Sequence, residues 1–111
     1  MKNYKKGDVY IFELKENESH VQKGIRPCLI VQNDIGNANS PNLIVVPLTS
    51  KVKRRDMPVH VLTGRGQMAL CECILTIPKD NIISYSKSLD ANTMKLVDRA
   101  LSISLGILKE E

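Results

Sequence analysis

Aromatic residues are nearly absent from this chain. There is no tryptophan, and Tyr4, Tyr10, Phe12 and Tyr85 make up the whole set. A protein that grips nucleic acid by stacking many bases on aromatic platforms needs more than that. Cysteine is scarce as well. Cys28, Cys71 and Cys73 are odd in number and sit among apolar neighbours, which argues against a disulfide scaffold and for a reducing, cytoplasmic compartment. Cys71-Glu72-Cys73 has the look of a ligand pair, but it lacks the second CxxC or spaced histidine pair of a zinc site, so buried thiols and no metal are expected. No run approaches the roughly 18 apolar residues of a membrane-spanning helix. The segment Met1-Lys2-Asn3-Tyr4-Lys5-Lys6-Gly7 has no apolar stretch of the kind a secretory signal carries, so export is not expected. A glycine-rich phosphate loop, HExxH and a nucleophile elbow are also missing, which excludes the chemistry that depends on them.

What remains is an ordinary soluble composition in 111 residues, enough for a single domain over 1–111 and too little for a cofactor domain beside a substrate domain. Sixteen Lys and Arg against twelve Asp and Glu give +4, a balance that permits a polyanionic partner without demanding one. The charge is uneven: residues 1–66 carry +5 and residues 67–111 carry −1. The basic excess therefore belongs to the first part of the chain.

Strand signals fill that part. Asp8-Val9-Tyr10-Ile11-Phe12-Glu13-Leu14 is β-rich and apolar on both faces. Cys28–Val31 and Leu43–Leu48 are continuous apolar runs of the kind buried on both sides. Val59–Leu62 and Leu70–Leu75 complete a set of five expected strands. No helical crossover separates them, so the sheet should be mainly antiparallel and strongly curved or closed. Pro47 cannot donate to a ladder and should sit at an edge or bulge. Polar connections are expected at 15–25, 33–41 and 50–56, and Pro78–Ile83 reads as a strand stop followed by a short helical turn. Met94, Val97, Leu101, Leu105 and Leu108 then recur at spacings of 3, 4, 4 and 3, one face of a helix over about 91–107 with Asp90 as its N-cap.

Single residues offer several chemistries. Arg26 stands at a loop-to-strand junction where Pro27 restrains it to extended geometry. A guanidinium there can hold a phosphate bidentately at any working pH, although a surface ion pair is its commoner use. Thr49 offers a hydroxyl at the end of Pro47-Leu48-Thr49-Ser50, where a turn or capping role is commoner. Lys51, Lys53, Arg54 and Arg55 form a basic run suited to phosphate, or simply to solvent. His20 lies in a polar loop, and His60, alternating with Val59 and Val61, reads as a solvent-facing strand residue.

The order of these pieces resembles the MazF/PemK/Kid family. Lys6-Gly7-Asp8-Val9-Tyr10 is followed by Gln22-Lys23-Gly24-Ile25-Arg26-Pro27 running into Val31-Gln32-Asn33-Asp34-Ile35-Gly36-Asn37, then by Pro47-Leu48-Thr49-Ser50. Glu72–Ile77 and the helix from Met94 to Gly106 continue the likeness across essentially the whole chain. The resemblance implies a mainly β fold with helices, an SH3-like curved antiparallel barrel with a long C-terminal helix, dimeric. It implies a toxin of a toxin–antitoxin pair that cuts single-stranded mRNA at specific sequences, without metal or cofactor, and is silenced by a cognate antitoxin.

By the same resemblance, Arg26 and Thr49 are the paired active-site residues. His20 and Glu72 match positions that assist catalysis or act as a base in some members, and Gln22, Lys23 and the basic run would touch RNA. RNA brings its own nucleophile, the ribose 2′-OH, so the protein need only move protons and stabilise a phosphorane. Arginine keeps its charge at any working pH, which makes Arg26 a charge stabiliser and leaves the base to His20 or Glu72. Departures from the family pattern fall at Val21, Gln67, Met68, Cys73 and Leu75, and these bear on the cleavage sequence. Two readings compete. One is a non-catalytic toxin of the related CcdB type that poisons a protein such as DNA gyrase, the other a small SH3-like binding module. The Arg26/Thr49 pair separates the nuclease from both.

Overall fold

The computed structural model describes residues 3–15, 24–51, 54–64 and 66–109. Seven strands form one antiparallel sheet: β1 (Asp8–Leu14), β2 (Gly24–Ile30), β3 (Asn42–Thr49), β4 (His60–Gly64), β5 (Gln67–Leu70), β6 (Leu75–Pro78) and β7 (Ile82–Ser88). Among the described residues two helices accompany them, α1 (Asp34–Asn39) between β2 and β3, and α2 (Ala91–Ser104) at the end, with a 3-10 turn at Lys79–Asn81. The strand order is β4-β5-β3-β2-β1-β7, with β6 also paired to β3. Among the described residues the path does not return from β7 to β4, so the sheet is curved and open rather than closed.

The continuous apolar runs are explained by two cores, one on each face. Val9, Leu29, Val46, Leu48, Val61 and Ala69 pack under Val97 and Ala100 of α2. Tyr10, Phe12, Cys28, Ile30, Leu43, Val45 and Ile77 fill the other side, where the sheet curls over itself. Long β3 is the hinge of the arrangement. Its first half pairs with β6 through Val45, and its end pairs with β5 from Leu48. Pro47 falls in the gap between those two partners, so a central strand tolerates a proline without a separate bulge.

Four expectations need correction. The run Leu70–Leu75 is two strands, not one, because a turn at 71–74 closes with the Cys73 N–H donating to the Leu70 carbonyl at 3.0 Å. No glycine or proline marks that turn. A strand not expected from the sequence, β7, follows the expected helical turn; it is mostly exposed and pairs with β1 through two register shifts. The Asn-rich segment after Gln32 contains α1. The Asn33 side chain caps it by accepting from the Gly36 N–H at 2.8 Å, and buried Asn37 accepts from the Gln32 side chain at 3.0 Å. Finally, α2 ends at Ser104, so Leu105 and Leu108 of the expected stripe are exposed, while Met94, Val97 and Leu101 do face the core. Asp90 caps α2 as expected, its carboxylate accepting from the Thr93 N–H at 2.8 Å.

Candidate active site

The first three residues of β2, Gly24, Ile25 and Arg26, are exposed, whereas the rest of the strand sinks into the core. The β2–β3 ladder runs Ile30↔Val45, Leu29↔Val46, Cys28↔Pro47 and stops there. Its cause is visible in the direction of the main-chain groups. The Val31 N–H donates to the Ile44 carbonyl at 3.0 Å, so by alternation Val31, Leu29 and residue 27 are the β2 residues whose polar groups point at β3. Residue 27 is proline and has no N–H to give Leu48. Continuing the same register past the last rung sets Arg26 opposite Thr49, on strands no longer zipped together.

Each member is anchored from below. Arg26 lies across from Phe12 of β1, which is fully buried. Its guanidinium charge is close enough to act on Cys28, whose thiol burial pushes up to about 12 against that favourable charge. Thr49, half-buried, lies across from Met68 of β5. Its Oγ1 accepts from the Lys51 N–H at 3.1 Å, which fixes the rotamer and leaves the hydroxyl's own proton to be donated. A guanidinium and a hydroxyl are the side-chain types that can together hold a phosphodiester.

Glu72 does not lie in a strand as the apolar run suggested. It stands in the turn between β5 and β6, and its Oε2 is 2.8 Å from Nε2 of His60. The expectation for His60 is overturned too: its side chain is only 4% exposed, and Nδ1 lies 3.0 Å from the Arg54 carbonyl. Val61 does face the core under α2, so alternation correctly turned His60 the other way; but that side is covered by the turn at 54–57 and by Glu72. Met68 of β5 pairs with Leu62 of β4, and Leu70 with His60. Those registers place His60 two strands across and two residues along from Thr49, about 12 Å by ordinary strand spacings.

Of the basic run, Lys51, Arg54 and Arg55 are exposed. Arg54 Nε also meets Asp56 at 3.3 Å, and its backbone is left-handed, with φ of 49°. An open groove of about 320 Å³ lies beyond, with Arg55, His60 and Leu62 on one side and Leu96 and Arg99 of α2 on the other. His20, Val21, Gln22, Lys23 and Lys53 lie outside the described residues. Of the departures from the family pattern, Gln67 accepts from Lys87 Nζ at 2.7 Å, Met68 is fully buried beneath Thr49, and Cys73 and Leu75 are half-buried.

The burial of the His60 side chain against Glu72 was not legible in the sequence. Nothing in the spacing of positions 60 and 72 advertises their contact, since it depends on the unmarked turn between β5 and β6.

Comparison with known proteins adds a family to this geometry. A profile described as "PemK-like, MazF-like toxin of type II toxin-antitoxin system" matches residues 5–105. "Endoribonuclease EndoA" of Bacillus subtilis (strain 168) is 38% identical over 111 residues, covering 94% of this chain and 96% of that protein. A solved "Endoribonuclease from Mycobacterial species" superposes with a TM-score of 0.80 at 27% identity, covering 100% of this chain and 98% of its own. A second mycobacterial structure, of an endoribonuclease in complex with its cognate antitoxin, gives a TM-score of 0.81 at 27% identity over 96% of this chain and 99% of that one. The chain belongs to the PemK-like, MazF-like family of toxins of type II toxin–antitoxin systems.

Proposed function

We propose that this endoribonuclease of the MazF type cleaves single-stranded mRNA by directing the ribose 2′-OH onto the adjacent phosphorus, with Arg26 and Thr49 holding the phosphate. What supports the reading is the β2–β3 register, which ends at Cys28↔Pro47 and, continued by two residues, would bring Arg26 and Thr49 to facing positions. Arg26 stabilises the charge that builds on the phosphorane, and Thr49 donates to a second non-bridging oxygen. Attack by the 2′-oxygen forms the 2′,3′-cyclic phosphate and expels the 5′-oxygen, which leaves as a 5′-OH once protonated. No step calls for a metal or a cofactor. For the proton transfers, Glu72 is already committed to His60, which favours His20, a residue type suited to proton transfer.

Lys51, Arg54 and Arg55, with Gln22, Lys23 and Lys53, would receive the phosphates that flank the cut. A cognate antitoxin silences the enzyme, and an acidic, disordered tail that folds on binding suits the basic first part of the chain. The exposed apolar residues Leu96, Leu105 and Ile107 along and beyond α2 fit a homodimer contact. Action on mRNA assigns the protein to the cytoplasm; no helix among the described residues is long and apolar enough to cross a membrane.

The test is a cleavage assay on a long single-stranded RNA in EDTA, with 5′ ends mapped, using the native chain beside Arg26→Ala and Thr49→Ala. Discrete cuts bearing 5′-OH are expected from the native chain. Loss of one well-placed stabilising donor costs on the order of 100-fold or more in rate, so both variants should fall at least that far. A folded native chain that cuts nothing across varied sequences rejects the reading in favour of a non-catalytic toxin.

A further inference from the structure

We propose that His60 is a positioning residue, held as an imidazolium that clips the basic turn at 54–56 to Glu72 and so presents that turn to RNA. The proposal rests on the ribonuclease reading above for its last clause only. Its first clause follows from which atoms the ring touches. Nδ1 lies 3.0 Å from the Arg54 carbonyl oxygen, and a carbonyl can only accept, so Nδ1 carries a proton. Nε2 lies 2.8 Å from Glu72 Oε2. If Nε2 were bare, two lone pairs would face one another at that distance. One proton must lie between them, and imidazole is more basic than a carboxylate by about two pK units in ordinary peptides, so the ring holds it. Both contacts are then donations from a cation, one of them to a carboxylate.

The surroundings agree with a charged ring. His60's side chain is 4% exposed, so the pair is shielded from water on the histidine side, while Glu72 at 40% keeps contact with solvent. Among the described residues, the charged groups around it are Glu72 from the β5–β6 turn, Arg54, Arg55 and Asp56 from the basic turn, and Arg99 of α2, which shares the adjoining groove with Arg55. Two carboxylates favour the imidazolium and three guanidiniums oppose it. The 2.8 Å contact outweighs the more distant charges.

The clip also has a structural task. Arg54 sits in the left-handed region, which an L residue with a long side chain rarely occupies. Its carbonyl accepts from the Met57 N–H at 3.0 Å as well as from His60. The Val59 carbonyl accepts from the Cys71 N–H at 2.9 Å, so the two turns are already neighbours through the main chain. The imidazolium converts that neighbourhood into a fixed presentation of Arg54 and Arg55. When the ring loses its second proton, one of its two donations goes and the turn is held from one side.

The chain has two histidines, so ring-nitrogen NMR of the full-length protein can be assigned with a single variant, His60→Gln. Near pH 6.5 both ring nitrogens of His60 are expected to carry protons, and Glu72→Gln should leave only Nδ1 protonated at the same pH. A one-proton ring in the native chain, or a spectrum indifferent to Glu72→Gln, overturns the clip whatever the chain does to RNA. The functional clause is read from KM for RNA. His60→Gln, whose amide can donate to only one of the two acceptors, should raise KM about tenfold, the cost of one charge-assisted hydrogen bond, with a much smaller change in kcat. Native KM should rise as the ring deprotonates, and the variant's should stay flat over that range. Parallel pH profiles overturn the positioning role. RNA neither bound nor cut by the native chain overturns the ribonuclease reading and with it the positioning role, while the ring spectrum still decides the clip.

Discussion

Burial separates the three thiols. Cys28 and Cys71 are fully buried, and burial pushes each up to about 12, with Arg26 acting the other way on Cys28 and Glu72 adding to the rise at Cys71. Near pH 8 both are held as thiols, which do not attack an alkylating reagent. Cys73 is only half-buried. Treatment of the native chain with iodoacetamide at pH 8, read by peptide mass spectrometry, should therefore label Cys73 well ahead of the other two. Denaturation should release all three; equal labelling in the native state would contradict the packing described for β2 and the β5–β6 turn. The same scale shows what residue identity revealed. Arg26 beside Pro27 was readable as a type suited to phosphate, and Thr49 only as a hydroxyl at a strand end. The resemblance paired them; composition and spacing could not, because how near they lie depends on the β2–β3 register.

At the scale of elements, α2 was legible because its apolar period and its cap agree. Asp90 accepts from the Thr93 N–H, and that bond, with a further one to the Thr93 side chain, holds its carboxyl below the usual 3.8. Because the folded-state value is depressed, the cap's charge contributes stability that is fully present above pH 3.8 and is lost as pH falls through the folded value. Asp90→Asn keeps a cap acceptor but cannot titrate. Denaturant midpoints of the two chains should differ by a constant amount from pH 7 to 5 and converge below about 3.8, near the free carboxyl's value. A gap that persists at pH 2.5 would place the cap's effect in shape rather than charge. The elements that escaped the sequence are those with conflicting local signals. α1 hides in Asn, Asp and Gly, residues of turns, and forms because Asn33 caps it and Asn37 satisfies Gln32. The break between β5 and β6 interrupts an unbroken apolar run, and Glu72 was misplaced with it.

For the whole molecule, the asymmetry of charge is the feature the sequence stated most directly. The excess of +5 through residue 66 includes Arg26 and the basic turn, and α2 with its surroundings carries little net charge. Lys51 and Arg55 test that division, since Arg54 is already paired with Asp56. Each phosphate neutralised on a single strand contributes about 0.7 to the slope of log affinity against log salt, so replacing both with glutamine should flatten it by about 1.4. An unchanged slope, measured by fluorescence anisotropy over 50–300 mM salt, would remove the turn from the RNA path.

The missing N–H of Pro27 has a last consequence, concerning the balance between endurance and work. A residue able to donate at position 27 would add a rung to the β2–β3 ladder, and a rung is worth about 1 kcal/mol. The molecule forgoes it, and the rungs between β2 and β3 end at Cys28 and Pro47. On the roles proposed for Arg26 and Thr49, that open end serves activity at the expense of a bond, and a search for hardier variants drawn to position 27 would add the bond beside the proposed site.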